Sequence, residues 1–251
     1  MNHTVAPNNI TFTARCSQIR DAQWVCQKVR SFPHISSTYW GAHLEKLEEQ
    51  NPEIYNRFIN QSSINRYIPK DPNALKIVKI FSWHKNLVRK INRARDEWNI
   101  GGENSYRKVN NILGQFKYEK LGNCGEDAYL AASILRMNGV ENACVTRMKI
   151  DSNWQDHVVC LFNKDGSSFD GKNLKKAIVI DPWLGIADFA SNMSVKYKNL
   201  FQEMFCSLKS NSDISFQKID KVDFSEQELQ LLKLKYPNLR FPKKSNRKFM
   251  Q

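Results

Sequence analysis

The feature that most constrains the fold is one helix-forming stretch in the middle of the chain, from Cys124 to Leu135. Gly122-Asn123 supplies turn and cap residues before it, and Asn138-Gly139 is a typical C-terminal stop after it. Cys124 is therefore expected in the first turn of a helix. Unpaired backbone N–H groups and the helix dipole stabilise a thiolate in that position. A cysteine placed there is a candidate nucleophile.

The hydrophobic pattern changes period after this helix. Residues 140–150 have the pattern of a strand, and His157 to Phe162 form a clear strand. Residues 177–180 form a short buried strand that Asp181-Pro182 terminates. A helix followed by antiparallel strands predicts an α+β fold.

Residues 1–114 are predicted to be predominantly helical. A short helix is expected from Arg20 to Arg30, and both Asn51-Pro52 and Asp71-Pro72 start a helix with proline in its first position. The second of these opens the longest helical pattern in the chain, which Gly101-Gly102 ends. A further helix is expected to stop at Gly114.

Three regions follow from these patterns. Residues 1–114 form a basic helical region for docking or substrate recognition, and residues 115–240 form the core that carries the candidate chemistry. Near the end of that core, Ser225 and Glu228 make the capping box of a last helix, which Pro237 stops. Residues 241–251 are expected to be a basic disordered tail.

The net charge of +13 is unevenly distributed. Residues 1–120 carry 19 basic and 10 acidic side chains, whereas residues 121–190 carry 7 and 9. The exposed face of the long helix is a run of basic residues: Lys76, Lys79, Lys85, Arg89, Lys90, Arg93 and Arg95. A solvated face is the ordinary interpretation of such a run, and contact with an acidic partner or an anionic lipid is the alternative.

The sequence lacks the signals of several protein classes. No segment approaches the roughly 18 apolar residues of a membrane span, and the first 15 residues lack the apolar run of a secretory signal. We therefore expect a cytosolic protein, or one delivered to a cytosol-like compartment. Six scattered cysteines without a C-x-x-C pair predict neither a disulfide framework nor a structural zinc site.

Thiol catalysis needs a nucleophile, a base and a group that orients the base. Cys124, His157 and Asp181 occur in that order, with the histidine opening one strand and the aspartate closing another. On an extended strand His157 and Cys160 point to opposite faces, which argues against a shared metal ion. We predict no metal and no cofactor. Taken singly, each of the three residues has an ordinary structural explanation.

The ordered pieces resemble the transglutaminase-like core of the papain-like cysteine superfamily. They are Gly122-Asn123-Cys124-Gly125, Leu135 to Val140, Asp156 to Val159, and Val179 to Trp183. The resemblance covers about residues 115–190. It implies a nucleophile helix packed on an antiparallel sheet, with Cys124 as nucleophile, His157 as general acid and base, and Asp181 as orienter.

The resemblance also implies the reaction, which is thiol acyl transfer on an amide of a protein substrate. Proteolysis, glutamine deamidation and transglutamination all remain open, because Gly125 and Tyr118 stand where relatives have other residues. Gln115 and Asn123 are candidates for the second oxyanion donor. Trp154 and Trp183 are candidates for the walls of a substrate channel, or they simply pack in the core.

Other functions remain alternatives. The same fold suits a small-molecule acyltransferase, and the basic flanks suit a nucleic-acid- or anionic-lipid-binding module with a degenerate triad. By resemblance, a bacterial effector delivered into host cells without a Sec signal is a further expectation. The oligomeric state does not follow from the sequence.

Overall fold

The computed structural model describes residues 8–37, 44, 47–58, 69–101, 104–150, 157–163, 169, 176–204 and 214–242. Among the described residues, four helices with defined bounds precede the nucleophile helix predicted above. They are α1 (Asn8–Arg30), α2 (Pro52–Phe58), α3 (Pro72–Glu97) and α4 (Ser105–Tyr118). The expected start of α3 is observed, because the Asp71 side chain accepts hydrogen bonds from the first-turn N–H groups of Asn73 and Ala74.

Two of these helices are longer than expected. Helix α1 begins at Asn8 rather than Arg20, and α4 continues through Gly114 to Tyr118. Gly114 does not stop α4 because its missing side chain makes room for the Trp98 ring. A Cβ atom there would lie 2.4 Å from Trp98 Cζ3, which is closer than atoms can pack.

Helix α5 (Cys124–Met137) has the predicted bounds. Asn123 is its N-cap, and Gly139 follows its end with a φ of +81°, a conformation that favours glycine. Twelve of its 14 residues are buried, so α5 lies inside the molecule rather than on its surface.

A five-stranded antiparallel sheet follows α5. Its strands are β1 (Ala143–Ile150), β2 (His157–Phe162), β3 (Ile178–Asp181), β4 (Ile186–Phe189) and β5 (Ile214–Lys221). Their order across the sheet is β4-β3-β2-β1-β5, and all four neighbouring pairs are antiparallel. The fold is therefore α+β, as the change of hydrophobic period predicts. Strand β1 begins at Ala143, three residues later than the expected region.

The alternation predicted for β2 is observed. Cys160 and Phe162 lie in the large core beneath α5, and Val159 and Leu161 lie in a second core on the other face. Helix α6 (Ala190–Met204) contributes Met193 and Tyr197 to that second core. Neither α6 nor the strands β4 and β5 was predicted from the sequence.

The chain ends with α7 (Glu226–Lys235) and a 3-10 turn (Pro237–Leu239). The Ser225–Glu228 capping box is present at the start of α7. The tail predicted for residues 241–251 lies, from residue 243 onward, outside the described residues. None of the described helices is both long and apolar enough to cross a membrane.

Candidate active site

The three predicted triad residues lie at one end of the sheet. Cys124 begins α5, His157 is the first residue of β2, and Asp181 is the last residue of β3. Strands β2 and β3 are adjacent and antiparallel, so the start of one and the end of the other share an edge. All three side chains are buried.

His157 and Asp181 form a direct pair. The His157 Nε2 atom lies 2.6 Å from Asp181 Oδ2, and Asp181 is fully buried. Asp181 Oδ2 also accepts a hydrogen bond of 2.8 Å from the Tyr197 hydroxyl, and Oδ1 accepts one from the backbone N–H of Leu184. These donors hold the carboxylate in one orientation. Burial of the Tyr197 side chain, together with the charge of Asp181, raises the pKa of Tyr197 well above its usual value, so the hydroxyl keeps its proton and remains a donor.

The other imidazole nitrogen of His157 is not engaged by Asp181. Nδ1 is buried and makes no hydrogen bond of ordinary geometry among the described residues. Burial of the ring lowers the pKa of His157, but the charge and hydrogen bond of Asp181 outweigh it, and the Cys124 side chain adds to them. The result is a pKa raised to about 10, so the ring is an imidazolium at neutral pH. Catalytic hydrogen bonds are often loose in the absence of substrate.

An ion pair between α3 and α5 fixes the start of α5. Glu126, in the first turn, accepts a hydrogen bond of 2.9 Å from the backbone N–H of Asn123. The guanidinium of Arg95, on α3, binds both oxygens of the same carboxylate at 2.5 and 2.8 Å. The hydrogen bond to Glu126 raises the pKa of the Arg95 guanidinium, and burial lowers it by less. Arg95 also lies close enough to Cys124 for a thiolate there to raise this pKa by a smaller amount. The positive end of α5 is thus fixed beside a cation.

The segment after α1 crosses the loop before Cys124. Ile35 forms an isolated parallel bridge with Leu121. The side chain of Asn123 is bound by this segment, because its Oδ1 atom accepts hydrogen bonds from Ser36 Oγ at 3.0 Å and from Ser37 N at 2.9 Å. Residues 35–37 therefore hold the loop that precedes Cys124 in place.

Of the two predicted channel tryptophans, the structure brings one to the site. The ring of Trp183 lies 4.9 Å from the ring of His157, and its Nε1 donates to Ser36 Oγ at 3.2 Å. Trp154 lies outside the described residues. Trp183 lines a cleft of about 470 Å³, together with Pro182 and residues of the segment after α1, and Asp127 also contributes to its wall. None of the three triad residues lines this space, which lies beside them through the contact of Trp183 with His157, and we call it the catalytic cleft for that position.

A second buried histidine–carboxyl pair borders the catalytic cleft. His34 Nε2 lies 3.1 Å from Asp127 Oδ1 and 3.3 Å from Oδ2, and the His34 ring stacks on Phe116 at 4.3 Å. Its Nδ1 lies 2.8 Å from the Phe32 carbonyl, which can only accept, so Nδ1 carries a proton. Burial raises the pKa of Asp127, and the pKa of His34 is also raised because contact with Asp127 outweighs burial.

Each side chain considered as a second oxyanion donor already donates one hydrogen bond elsewhere. The Gln115 amide nitrogen donates to the Leu121 carbonyl at 2.9 Å, and the Asn123 amide nitrogen donates to Ser37 Oγ at 3.0 Å. The first-turn N–H groups of α5 lack partners within the helix, since no residue precedes them by four in it. Cys124 and Gly125 carry two of these N–H groups.

Three pairings at the site were not predicted from sequence. Tyr197 carried a usable signal, because Met193, Tyr197 and Leu200 have the spacing of one helix face. The Arg95–Glu126 and His34–Asp127 pairs carried none, since 31 and 93 residues separate their members.

Within the described residues, no group of three or more His, Cys, Asp or Glu side chains is arranged to hold a metal ion. The chain was also compared with protein-family models, with curated proteins and with solved structures. None of the three comparisons found a match.

Proposed function

We propose that this protein is a cysteine-dependent acyl-transfer enzyme that acts on an amide of a protein substrate. One observation carries the proposal: His157 Nε2 lies 2.6 Å from Asp181 Oδ2, and the Cys124 side chain lies close enough to the same ring to raise its pKa. Nucleophile, acid–base group and orienter have the relations that thiol catalysis requires. Helix α5 on its antiparallel sheet then corresponds to a transglutaminase-like or papain-like core.

The residues suggest the following steps. The Cys124 thiolate attacks the amide carbon, and the first-turn N–H groups of α5 stabilise the oxyanion. The His157 imidazolium donates its Nδ1 proton to the departing amine or ammonia, which leaves a thioester on Cys124. His157 then accepts a proton from water, or from a second amine, as that nucleophile attacks the thioester. Asp181 keeps the ring oriented throughout.

The substrate remains part of the proposal. A peptide bond would make the enzyme a protease, and a glutamine side chain would make it a deamidase or a transglutaminase. The proposed setting is a cytosol, either that of the producing cell or that of a host. A small-molecule acyltransferase of the same fold is distinguished from an enzyme that acts on proteins by incubation with acyl-CoA. Mass spectrometry then shows whether Cys124 carries an acyl group.

Labelling with iodoacetamide across pH tests the proposal. We expect Cys124 to react selectively at pH values well below the ~8.5 at which an ordinary thiol ionises. The buried Cys26 and Cys160 are internal references, because burial raises the pKa of the Cys26 thiol to about 12 and that of Cys160 well above its usual value. Mass spectrometry of the peptides identifies the labelled residue.

His157→Gln is the matched control, because it leaves the position of Cys124 in α5 unchanged. Its labelling should shift to the pH range of an ordinary thiol. The proposal fails if Cys124 in the wild type already follows an ordinary thiol, or if His157→Gln labels identically while folded. Once a substrate is known, a folded Cys124→Ala protein that keeps full activity also overturns it.

A further inference from the structure

Two further clefts lie beyond the catalytic cleft, and each shares one lining residue with the cleft before it. Ile35 lines both that cleft and a second one of about 590 Å³, which runs between α3 and residues 119–121. Trp83 lines the second cleft and also a third of about 530 Å³ at the start of α3. The second and third clefts together form one surface from Pro72 to Glu97, which we call the α3 groove.

The α3 groove contains exposed apolar side chains. Trp83 is 42% exposed and Ile35 is 47% exposed, although both are large hydrophobic residues. Pro72, Leu75 and Ile80 line the far end of the groove. Large apolar side chains exposed within a concave surface are typical of a binding site.

The rims of the α3 groove are basic. Their basic residues are Lys76, Lys79, Lys90, Arg93 and Lys120. Among the described residues, the acidic side chains that line it are Glu97 and Glu119, and Glu97 is paired with Arg93 at 2.6 Å. A surface of this charge attracts an acidic partner.

We propose that the α3 groove binds an extended, acidic segment of the protein substrate that also carries apolar residues. The segment lies along α3 and enters the catalytic cleft past Ile35. This inference rests on the proposed function and names the substrate class of the same site. A peptide is favoured over a lipid surface because Ile35, which lines the α3 groove, also lines the cleft beside the candidate triad.

The length of the groove sets the length of the segment. Helix α3 has 26 residues, which corresponds to about 39 Å at 1.5 Å per residue. An extended chain covers about 3.3 Å per residue, so about 12 residues fill the groove. Aspartate or glutamate is expected opposite the lysines, and a bulky apolar residue beside Trp83.

Selection from a displayed library of random 12-residue peptides tests the proposal. With Cys124→Ser protein, which cannot turn substrate over, we expect the selected peptides to be rich in Asp, Glu and large apolar residues. The affinity of the best fluorescein-labelled peptide is then measured by anisotropy. Lys79→Glu with Lys90→Glu should weaken that affinity at least tenfold, and Lys79→Gln with Lys90→Gln should weaken it less.

The matched control is Lys85→Glu with Arg89→Glu. These exposed residues lie on the same helix outside the α3 groove, and the double change alters the net charge equally. Its affinity should stay within twofold of the parent. The proposal fails if both double variants weaken peptide binding equally, or if no acidic peptides are enriched. It also fails if the substitutions in the α3 groove weaken binding to phosphatidylserine vesicles but not to the peptide.

Failure of this inference is distinguishable from failure of the proposed function. If peptide binding ignores the α3 groove while Cys124 is still labelled selectively at low pH, the groove assignment is wrong and the enzyme remains. If the groove binds acidic peptides while Cys124 behaves as an ordinary thiol, the docking surface exists without the proposed catalysis.

Discussion

Asp181 is the residue on which the geometry of the site depends. It is fully buried, yet three donors satisfy its oxygens: the His157 ring, the Tyr197 hydroxyl and the Leu184 N–H. The hydrogen bonds fix both oxygens of the carboxylate. The charge and hydrogen bond of Asp181 raise the pKa of His157 although the ring is buried.

At this scale we predict a pH dependence of stability. The folded-state pKa of His157, about 10, lies above the usual 6.5. The pair therefore stabilises the fold fully below about pH 6.5, and this contribution is lost as the pH rises through about 10. We expect Asp181→Asn to lower the free energy of unfolding by a few kcal/mol near pH 6 and by much less near pH 10. Urea unfolding at several pH values measures this.

Asp223→Asn is the control for this prediction. Asp223 is also paired with a cation, since Arg136 lies 2.9 Å away. However, its side chain is 59% exposed, and it is not one of the residues of the candidate site. Its effect on stability should be small and constant from pH 6 to 10. A pH-independent loss in Asp181→Asn would show that Asp181 acts by packing rather than through the charge of His157.

At the scale of elements, the start of α5 depends on α3. Glu126 is 3% exposed, and among the described residues its carboxylate is bound by Arg95 and by the backbone N–H of Asn123. Removing one member of a buried ion pair leaves an uncompensated charge. The position of Cys124 therefore depends on a helix that carries no proposed catalytic residue.

We predict that Arg95→Met destabilises the protein by about 3 kcal/mol, because Glu126 loses its cation. It should also reduce the low-pH labelling of Cys124, since the first turn of α5 is no longer held. Urea unfolding and iodoacetamide labelling measure the two effects. Arg93→Met is the matched control two residues away, because Arg93 forms only a surface pair with Glu97 and its loss should barely change stability. Equal effects of the two variants would contradict this role of Arg95.

Helix bounds differ in how far local sequence determines them. Asp71 and Asn123 were correctly predicted as caps because their effect is local. Gly114 was wrongly predicted as a stop, because its role is to admit the Trp98 ring from outside α4. Propensity describes a helix in isolation, whereas that contact belongs to the folded molecule.

At the scale of the whole molecule, α1 is part of the central core. Ala22, Val25 and Val29 have no exposed surface and pack with side chains of α5, β3 and β4. The core of the segment 115–240 therefore includes residues from before position 114. The division into three regions stays a prediction about function.

We predict that residues 31–251, expressed without α1, lose cooperative folding. Removal of α1 exposes apolar side chains of α5 and the sheet, and each deleted large core side chain costs about 1.5–3 kcal/mol of burial. Thermal unfolding followed by circular dichroism tests this. Gln23→Ala with Gln27→Ala, on the exposed face of α1, is the control and should unfold as the wild type does. A cooperative transition in the truncated chain would mean that α1 is dispensable.

The sequence by itself determined the local features of this protein. The caps of α3, α5 and α7, the alternation along β2 and the α+β class follow from interactions within a few residues. The order Cys124, His157 and Asp181 was also visible, because each residue stands at the end of a predicted element.

Only the tertiary structure decided which distant side chains meet. Tyr197 on Asp181, Arg95 on Glu126 and His34 on Asp127 join residues from separate elements, and no local period encodes such pairings. The joining of the α3 groove to the catalytic cleft through Ile35 is of the same kind. Hydrophobic periodicity sets which face of an element is buried, whereas the partner across the core depends on how all the elements pack together.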